Sequence, residues 1–171
     1  LNAYKIDLKS MQTEVGTYTL LADDDYFTAV QGPEIQHGQV EVKLIVRPTS
    51  GAFELDFHLQ GSVQLTCDRC LEEMTQPIDA DCHLRVKLGE EYLDEGDELV
   101  TIPYEDGVID LSWYVYEFIA LQIPMRHVHE DGQCSAAMQE MLTEHWAGEE
   151  LQSEEETTAT DPRWEELKKL L

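Results

Sequence analysis

The stretch QVEVKLIVR, residues 39–47, alternates apolar and polar side chains and specifies the architecture of this chain. Val40, Val42, Leu44 and Val46 fall on one face and the charged Glu41, Lys43 and Arg47 on the other, which is the pattern of a half-buried β-strand. The run FELDFHLQ, residues 53–60, repeats the alternation, and the turn-forming residues PTSG, 48–51, separate the two runs. Together they predict an antiparallel hairpin.

The same alternation predicts further strands on both sides of this hairpin. It continues through Val63, Leu65 and Cys67 after Gly61, which permits a bend or bulge, and it resumes after Pro77. Other strand candidates lie at residues 4–8, 15–22, 78–88 and 99–102. We therefore expect an antiparallel β-meander or an open, barrel-like sandwich.

Beyond residue 110 the apolar period becomes that of a helix. Asp110 is expected to cap a helix over residues 111–122, and Ser135 is expected to cap a second one over 136–147. We expect both helices to pack against the sheet and cover it, so the predicted fold class is α+β. Residues 1–147 are then a single β-rich domain.

The end of the chain has a different composition. Residues 148–160, GEELQSEEETTAT, contain five Glu and no basic or aromatic residue, as solvated linkers do. Residues 161–171, DPRWEELKKLL, predict a short docking helix with Trp164 and Leu167 on its apolar side. This helix can bind another protein or pack on its own domain, and the second is the simpler expectation.

Net charge narrows the choice of partners. The 171 residues include 11 Lys and Arg against 36 Asp and Glu, for a formal net charge of −25. Extensive direct contact with RNA or DNA is disfavoured because phosphate binding needs a basic surface. A cationic partner is favoured by the same field, although acidity also serves solubility alone. Without an apolar run long enough to span a membrane and without an export signal, the chain is expected to be cytoplasmic.

A second acidic block covers residues 88–125, which contain ten Asp or Glu and no Lys or Arg. Part of it, GEEYLDEGDE at 89–98, predicts a loop between strands. This loop is either a solvated surface or a landing surface for a cationic partner. The candidate partner-binding acids are Glu90, Glu91, Asp94, Glu95, Asp97 and Glu98.

Cysteine and histidine spacing points to a metal. Cys67 and Cys70 form CDRC, a C-x-x-C turn that suits half of a tetrahedral zinc site or a redox pair, and its place after a β-meander disfavours the redox alternative. His129 and Cys134 in HVHEDGQC supply a second half, with His127 as the alternative nitrogen ligand. A complete zinc site requires that the CDRC turn and the segment with His129 and Cys134 come into contact in the folded chain. Otherwise these thiols are inert.

Enzymatic motifs are not evident in this sequence. It contains no G-x-S-x-G, Walker, G-x-G-x-x-G or H-E-x-x-H pattern. Asp79, Asp81 and His83 share one strand face, which leaves a metal-dependent nuclease or other hydrolase as an alternative. Cys82 is in phase with the apolar residues of the same strand and is expected to lie in the core. A non-enzymatic binding protein is the main expectation.

Four ordered features together resemble the YceD family, the large ribosomal RNA subunit accumulation proteins. They are CDRCLEEM at 67–74; the set Ile109, Asp110, Leu111, Glu117, Leu121, Ile123, Pro124 and Met125; HEDGQC at 129–134; and the terminal DPRWEELKKLL. The family's C-x-R-C and H-(D/E)…C segments correspond to residues 67–70 and 129–134. Some relatives have additional cysteines near the latter segment that this chain lacks.

The resemblance implies a bacterial cytoplasmic protein that supports accumulation or processing of large-subunit ribosomal RNA, with no established catalytic residue. The family's gene commonly neighbours one for a small basic large-subunit ribosomal protein. Taken with the charge of −25, this predicts a binding factor that acts through such a basic protein and contacts precursor RNA indirectly. A nuclease acting on ribosomal RNA precursors and a structural zinc scaffold remain the alternatives.

Overall fold

The strands and helices are those of a computed structural model that describes residues 1–11, 14–96, 98–130 and 132–145. The strands are β1 (Lys5–Asp7), β2 (Gly16–Ala22), β3 (His37–Thr49), β4 (Ala52–Thr66), β5 (Glu73–Gly89), β6 (Leu93–Gly96), β7 (Leu99–Pro103) and β8 (Val108–Asp110). The helices are α1 (Asp24–Val30), α2 (Ser112–Ala120) and α3 (Ala136–Glu144). This content confirms the α+β class.

The main sheet has six strands in the order β2-β3-β4-β5-β7-β6 and is not closed. Its first four strands form the predicted antiparallel meander, and β1 pairs with β8 in a separate small sheet. The meander ends at β5, because β7 pairs with β5 in parallel and lies between β5 and β6. The chain runs from β5 to the sheet edge as β6 and returns as β7. The predicted loop at 89–98 therefore contains an edge strand.

The core lies on the face of the sheet that the alternation assigns to it. Its β3 to β5 side chains are fully or almost fully buried: Val40, Val42, Leu44, Val46, Leu55, Phe57, Leu59, Leu84 and Val86. Helix α2 packs on this face, with the rings of Phe57 and Phe118 in edge contact at 5.1 Å. The Tyr26 hydroxyl donates to the Ser112 carbonyl at 2.7 Å and joins α1 to α2. Burial of this apolar face is the main source of stability.

Helix α1 was not predicted from the sequence, although the run Asp23-Asp24-Asp25 carries its start signal. Asp23 is the N-cap, and its carboxylate accepts a hydrogen bond from the Tyr26 N–H at 3.0 Å. Asp24 accepts from the Gly38 N–H at 2.9 Å and links the helix to β3. These acids therefore have a structural role at the start of the helix.

Replacing Asp23 by alanine is expected to lower the free energy of unfolding by about 1 kcal/mol, because one helix N–H loses its acceptor. Urea unfolding followed by circular dichroism measures this change. Asp25→Ala is the control, since Asp25 is an exposed acid in the first turn and is not the N-cap. Equal losses in the two variants would mean that helix-dipole charge, and not the capping bond, stabilises α1.

Helix α2 begins one residue later than predicted and ends two residues earlier. Its N-cap is Leu111 and not the predicted Asp110, but one Asp110 carboxylate oxygen accepts from the Ser112 N–H at 3.0 Å and from the Ser112 hydroxyl at 2.6 Å. No helix among the described residues is both long and apolar enough to cross a membrane.

The chain divides into two units, Leu1–Cys134 and Ser135–Leu171. Helix α3 lies in the second unit, follows the predicted N-cap Ser135 and has no buried side chain. Several predicted features lie outside the described residues: Asp97, the linker at 148–160, and the docking helix at 161–171 with Trp164 and Leu167. They remain predictions.

Candidate metal centre

The CDRC segment forms the turn that joins β4 to β5. The Cys67 N–H donates to the Glu72 carbonyl at 2.8 Å, and the Leu71 N–H donates to the Cys67 carbonyl at 2.9 Å. These bonds close a tight turn at the end of the longest hairpin in the sheet. The Arg69 N–H also points at the Cys67 sulfur, 3.4 Å away. The turn therefore brings two sulfurs and a backbone donor to one point.

A loop that follows α2 returns to this turn and is joined to it by hydrogen bonds between His127 and Asp68. The Asp68 N–H donates to the His127 carbonyl, and the His127 N–H donates to the Asp68 carboxylate, both at 2.9 Å. The His127 ring lies against that carboxylate, with its Nε2 3.5 Å from Asp68 Oδ1. His127, the alternative nitrogen ligand, therefore has an anchoring contact outside the cluster. The two halves are in contact, as closure of the site requires.

The four predicted ligands are Cys67, Cys70, His129 and Cys134, and their ligand atoms all lie within 4.8 Å of one another. The Cys67 and Cys134 sulfurs are 4.0 Å apart. His129 Nδ1 is 3.3 Å from the Cys70 sulfur and 3.9 Å from the Cys134 sulfur. Within the described part of the chain, these four side chains therefore lie close enough together to hold a metal ion.

The His129 ring is oriented by a second contact. Its Nε2 lies 3.1 Å from the Glu73 carbonyl oxygen. A carbonyl only accepts hydrogen bonds, so Nε2 carries the proton and Nδ1 presents its lone pair to the sulfurs. Metal-bound histidines in proteins are commonly held in this way by a backbone carbonyl. Glu73 and Asp68 are supporting residues that the sequence analysis missed, because their roles arise from backbone geometry.

The pKa values of the Cys67 and Cys134 thiols are shifted in opposite directions. Burial raises the pKa of Cys67, but hydrogen bonds at the Cys70, His129 and Arg69 backbone outweigh it and lower the pKa to about 6. Burial and the neighbouring Cys70 and Cys67 sulfurs raise the pKa of Cys134. One thiolate is therefore readily formed, and further negative charge beside it is opposed. A divalent cation removes that opposition.

The cluster matches the dimensions of a tetrahedral zinc site. With Zn–S bonds of about 2.3 Å and Zn–N bonds of about 2.0 Å, sulfurs at adjacent corners are about 3.8 Å apart and a sulfur and a nitrogen about 3.5 Å apart. The separations of 4.0, 3.3 and 3.9 Å lie close to these values. Bound to one zinc ion, three cysteines and one histidine would leave no open position, as in structural zinc sites. None of the four cysteines, all of them described, is in a disulfide.

The residues of the hydrolase alternative lie elsewhere, on the outer face of the sheet. Asp79 and Asp81 are exposed, and Asp81 contacts the His58 ring at 2.9 Å. His83 contacts Asp56 at 2.9 Å. These side chains pair within the strand face and form no converging cluster of three or more ligands in the described part of the chain. Cys82 is half-buried against the core.

The described acids of the predicted landing surface are all exposed. They are Glu90, Glu91, Asp94, Glu95 and Glu98. Asp94 and Glu95 lie on the edge strand β6. Because β6 is at the edge of the sheet, these carboxylates are accessible to a partner.

Comparison with protein families gives one match. The model described as "Large ribosomal RNA subunit accumulation protein YceD" matches residues 55–171, which include all four members of the cysteine and histidine cluster. No curated protein and no solved structure matches the chain.

Proposed function

Because this chain belongs to the YceD family, whose description assigns it a role in large ribosomal RNA subunit accumulation, we propose that it serves this role as a non-enzymatic factor that binds a basic large-subunit ribosomal protein. The net charge of −25 is the observation that carries the proposal. Such a field attracts a basic protein and repels bare phosphate.

The distribution of charge supports the same partner. Residues 88–125 contain ten acids and no base, and every described acid among the six candidates is exposed. Complementary charge on a partner speeds its association and excludes competitors of the wrong sign. A small basic ribosomal protein that is shielded in this way before assembly reaches ribosomal RNA without binding other polyanions. Contact between this factor and precursor RNA is then indirect.

Zinc at Cys67, Cys70, His129 and Cys134 completes the proposal as a structural element. The ion would hold the β4–β5 turn to the loop after α2, since two ligands come from each. A site with four protein ligands supplies folding energy and no open position for substrate. In this proposal a structural zinc site and the binding of a basic protein are two properties of the same molecule, and not alternatives.

The partner class is tested by salt-dependent retention on the immobilised full chain. At ~0.15 M salt we expect one or more purified basic large-subunit proteins to be retained, and at ~1 M salt to be released, because screening then acts within about 3 Å. Naked large-subunit ribosomal RNA should pass through under both conditions. The bound proteins and RNA are both quantified. Retention of RNA without any basic protein would refute the proposal.

A further inference from the structure

A groove of about 580 Å³ opens beside α2 and combines exposed aromatic rings with carboxylates. Its lining includes Tyr92, Trp113 and Tyr114 together with Asp94, Asp106 and Glu117. This volume lies within the range of pockets that bind small ligands or a few residues of a peptide, roughly 300–1,000 Å³. Unlike the outer face of the sheet, where acids pair with histidines and arginines, the groove lies entirely within the base-free block 88–125.

The aromatic rings of the groove are exposed yet held in place. Trp113 is 47% exposed, stacks on Tyr116 with ring centres 5.3 Å apart, and donates from Nε1 to Glu117 at 2.7 Å. Tyr92 is 58% exposed, and its hydroxyl lies 2.8 Å from that of Tyr114. Large aromatic side chains that are fixed and solvent-accessible lose little entropy on binding and are common anchors in interfaces.

The carboxylates around these rings define the chemistry of the occupant. Asp94, Asp106 and Glu117 are exposed, and the block that supplies them contains no Lys or Arg; the Lys9 ammonium, from another segment, donates to the Glu105 carbonyl next to Asp106 at 3.5 Å. A guanidinium group stacks on tryptophan and tyrosine and forms two-point hydrogen bonds with carboxylates, whereas an ammonium group is more strongly hydrated and lacks the planar fork. The groove is therefore complementary to arginine in particular.

We propose that this groove binds an extended, arginine-bearing segment of the basic partner, with an arginine side chain stacked on Trp113 or Tyr92 and paired with the surrounding acids. The inference rests on the proposed function and gives it a location. The groove and the other exposed acids then have different roles. The groove recognises arginine, and the other acids only attract the basic partner over a longer range.

The test measures binding of two labelled peptides, RGSRGSRGS and KGSKGSKGS, to the full chain by fluorescence anisotropy at ~0.15 M salt. We expect the arginine peptide to bind more tightly than the lysine peptide. Trp113→Ala should weaken arginine-peptide binding roughly fivefold, and Asp94→Asn with Asp106→Asn should weaken it roughly five- to tenfold. The matched control is Asp79→Asn with Asp81→Asn, which removes the same charge outside the groove and should change binding less than twofold.

Retention of basic large-subunit proteins by the same variants separates this inference from the proposed function. If the groove variants retain those proteins as well as the unmodified chain, the groove assignment is wrong and the proposed function stands. If the Asp79 and Asp81 control loses peptide binding equally, only net charge matters and the groove assignment is again wrong. Self-association that Trp113→Ala abolishes would assign the groove to a second copy of the chain. If no basic protein is retained by any variant, both proposals fail.

Discussion

Replacing Cys67 by alanine is expected to reduce bound zinc from one ion per chain to near none and to lower the thermal midpoint of unfolding by roughly 10 °C. Cys67 is fully buried, and hydrogen bonds in the cluster lower the pKa of its thiol to about 6, whereas the pKa of Cys134 is raised. Without it, the turn after β4 and the loop after α2 lose their common ion. Elemental analysis and calorimetry of the full chain measure the two effects.

Cys82→Ala is the matched control for this result. Cys82 lies on β5, is half-buried and is not among the four clustered residues, so the variant should retain zinc and most of its thermal stability. A chelator should lower the midpoint of the unmodified chain towards that of the Cys67 variant and leave the variant itself unchanged. Cobalt uptake by the unmodified chain should give the spectrum of a tetrahedral thiolate site, and the Cys67 variant should lose it. Full zinc occupancy in the Cys67 variant would contradict the assignment.

The four candidate ligands could be identified from their spacing, but the convergence of the two pairs could not. The C-x-x-C turn and the H-x4-C segment each have metal-ligand spacing, and the alternation of β4 and β5 places the first at a hairpin end. The two halves meet through a backbone hydrogen bond from Asp68 to His127 and a second one from the His127 N–H to the Asp68 carboxylate. Backbone hydrogen bonds between residues distant in sequence leave no pattern in side-chain type, so only coordinates reveal them.

The misses in the fold have similar causes. Helix α1 has only seven residues, too few for an apolar period to stand out, and the acids that cap it resemble any other acidic run in this chain. Strand β7 lies between β5 and β6 in the sheet. The alternation of apolar residues predicts that a segment is a strand but does not say which strands it pairs with. By contrast, β3 and β4 were located because their alternation extends over 13 and 15 residues.

Gly61 was expected to permit a bend or bulge, and the structure assigns it a different role. Strand β4 continues through it without a register shift, pairing Gly61 with Val40 of β3 on one side and Ile78 of β5 on the other. A Cβ at this position would lie 2.1 Å from the Gln39 carbonyl oxygen and 2.7 Å from the Val40 Cα. Both atoms belong to the backbone of β3, so no side-chain rotation relieves the clash.

Gly61→Ala is therefore expected to lower the free energy of unfolding by about 3 kcal/mol or to prevent folding, because β3 and β4 must separate in the middle of the sheet. Gly51→Ala is the comparison: Gly51 has a left-handed φ of +90° and nothing within 4 Å of an added Cβ, so that variant should lose only about 1 kcal/mol. Urea unfolding of both variants gives the order directly. If Gly61→Ala is no less stable than Gly51→Ala, the two strands are not packed as closely as their register requires. A clearly larger loss in Gly61→Ala than in Gly51→Ala locates the constraint in backbone contact, since of the two sites only Gly61 has the β3 backbone against its α-carbon.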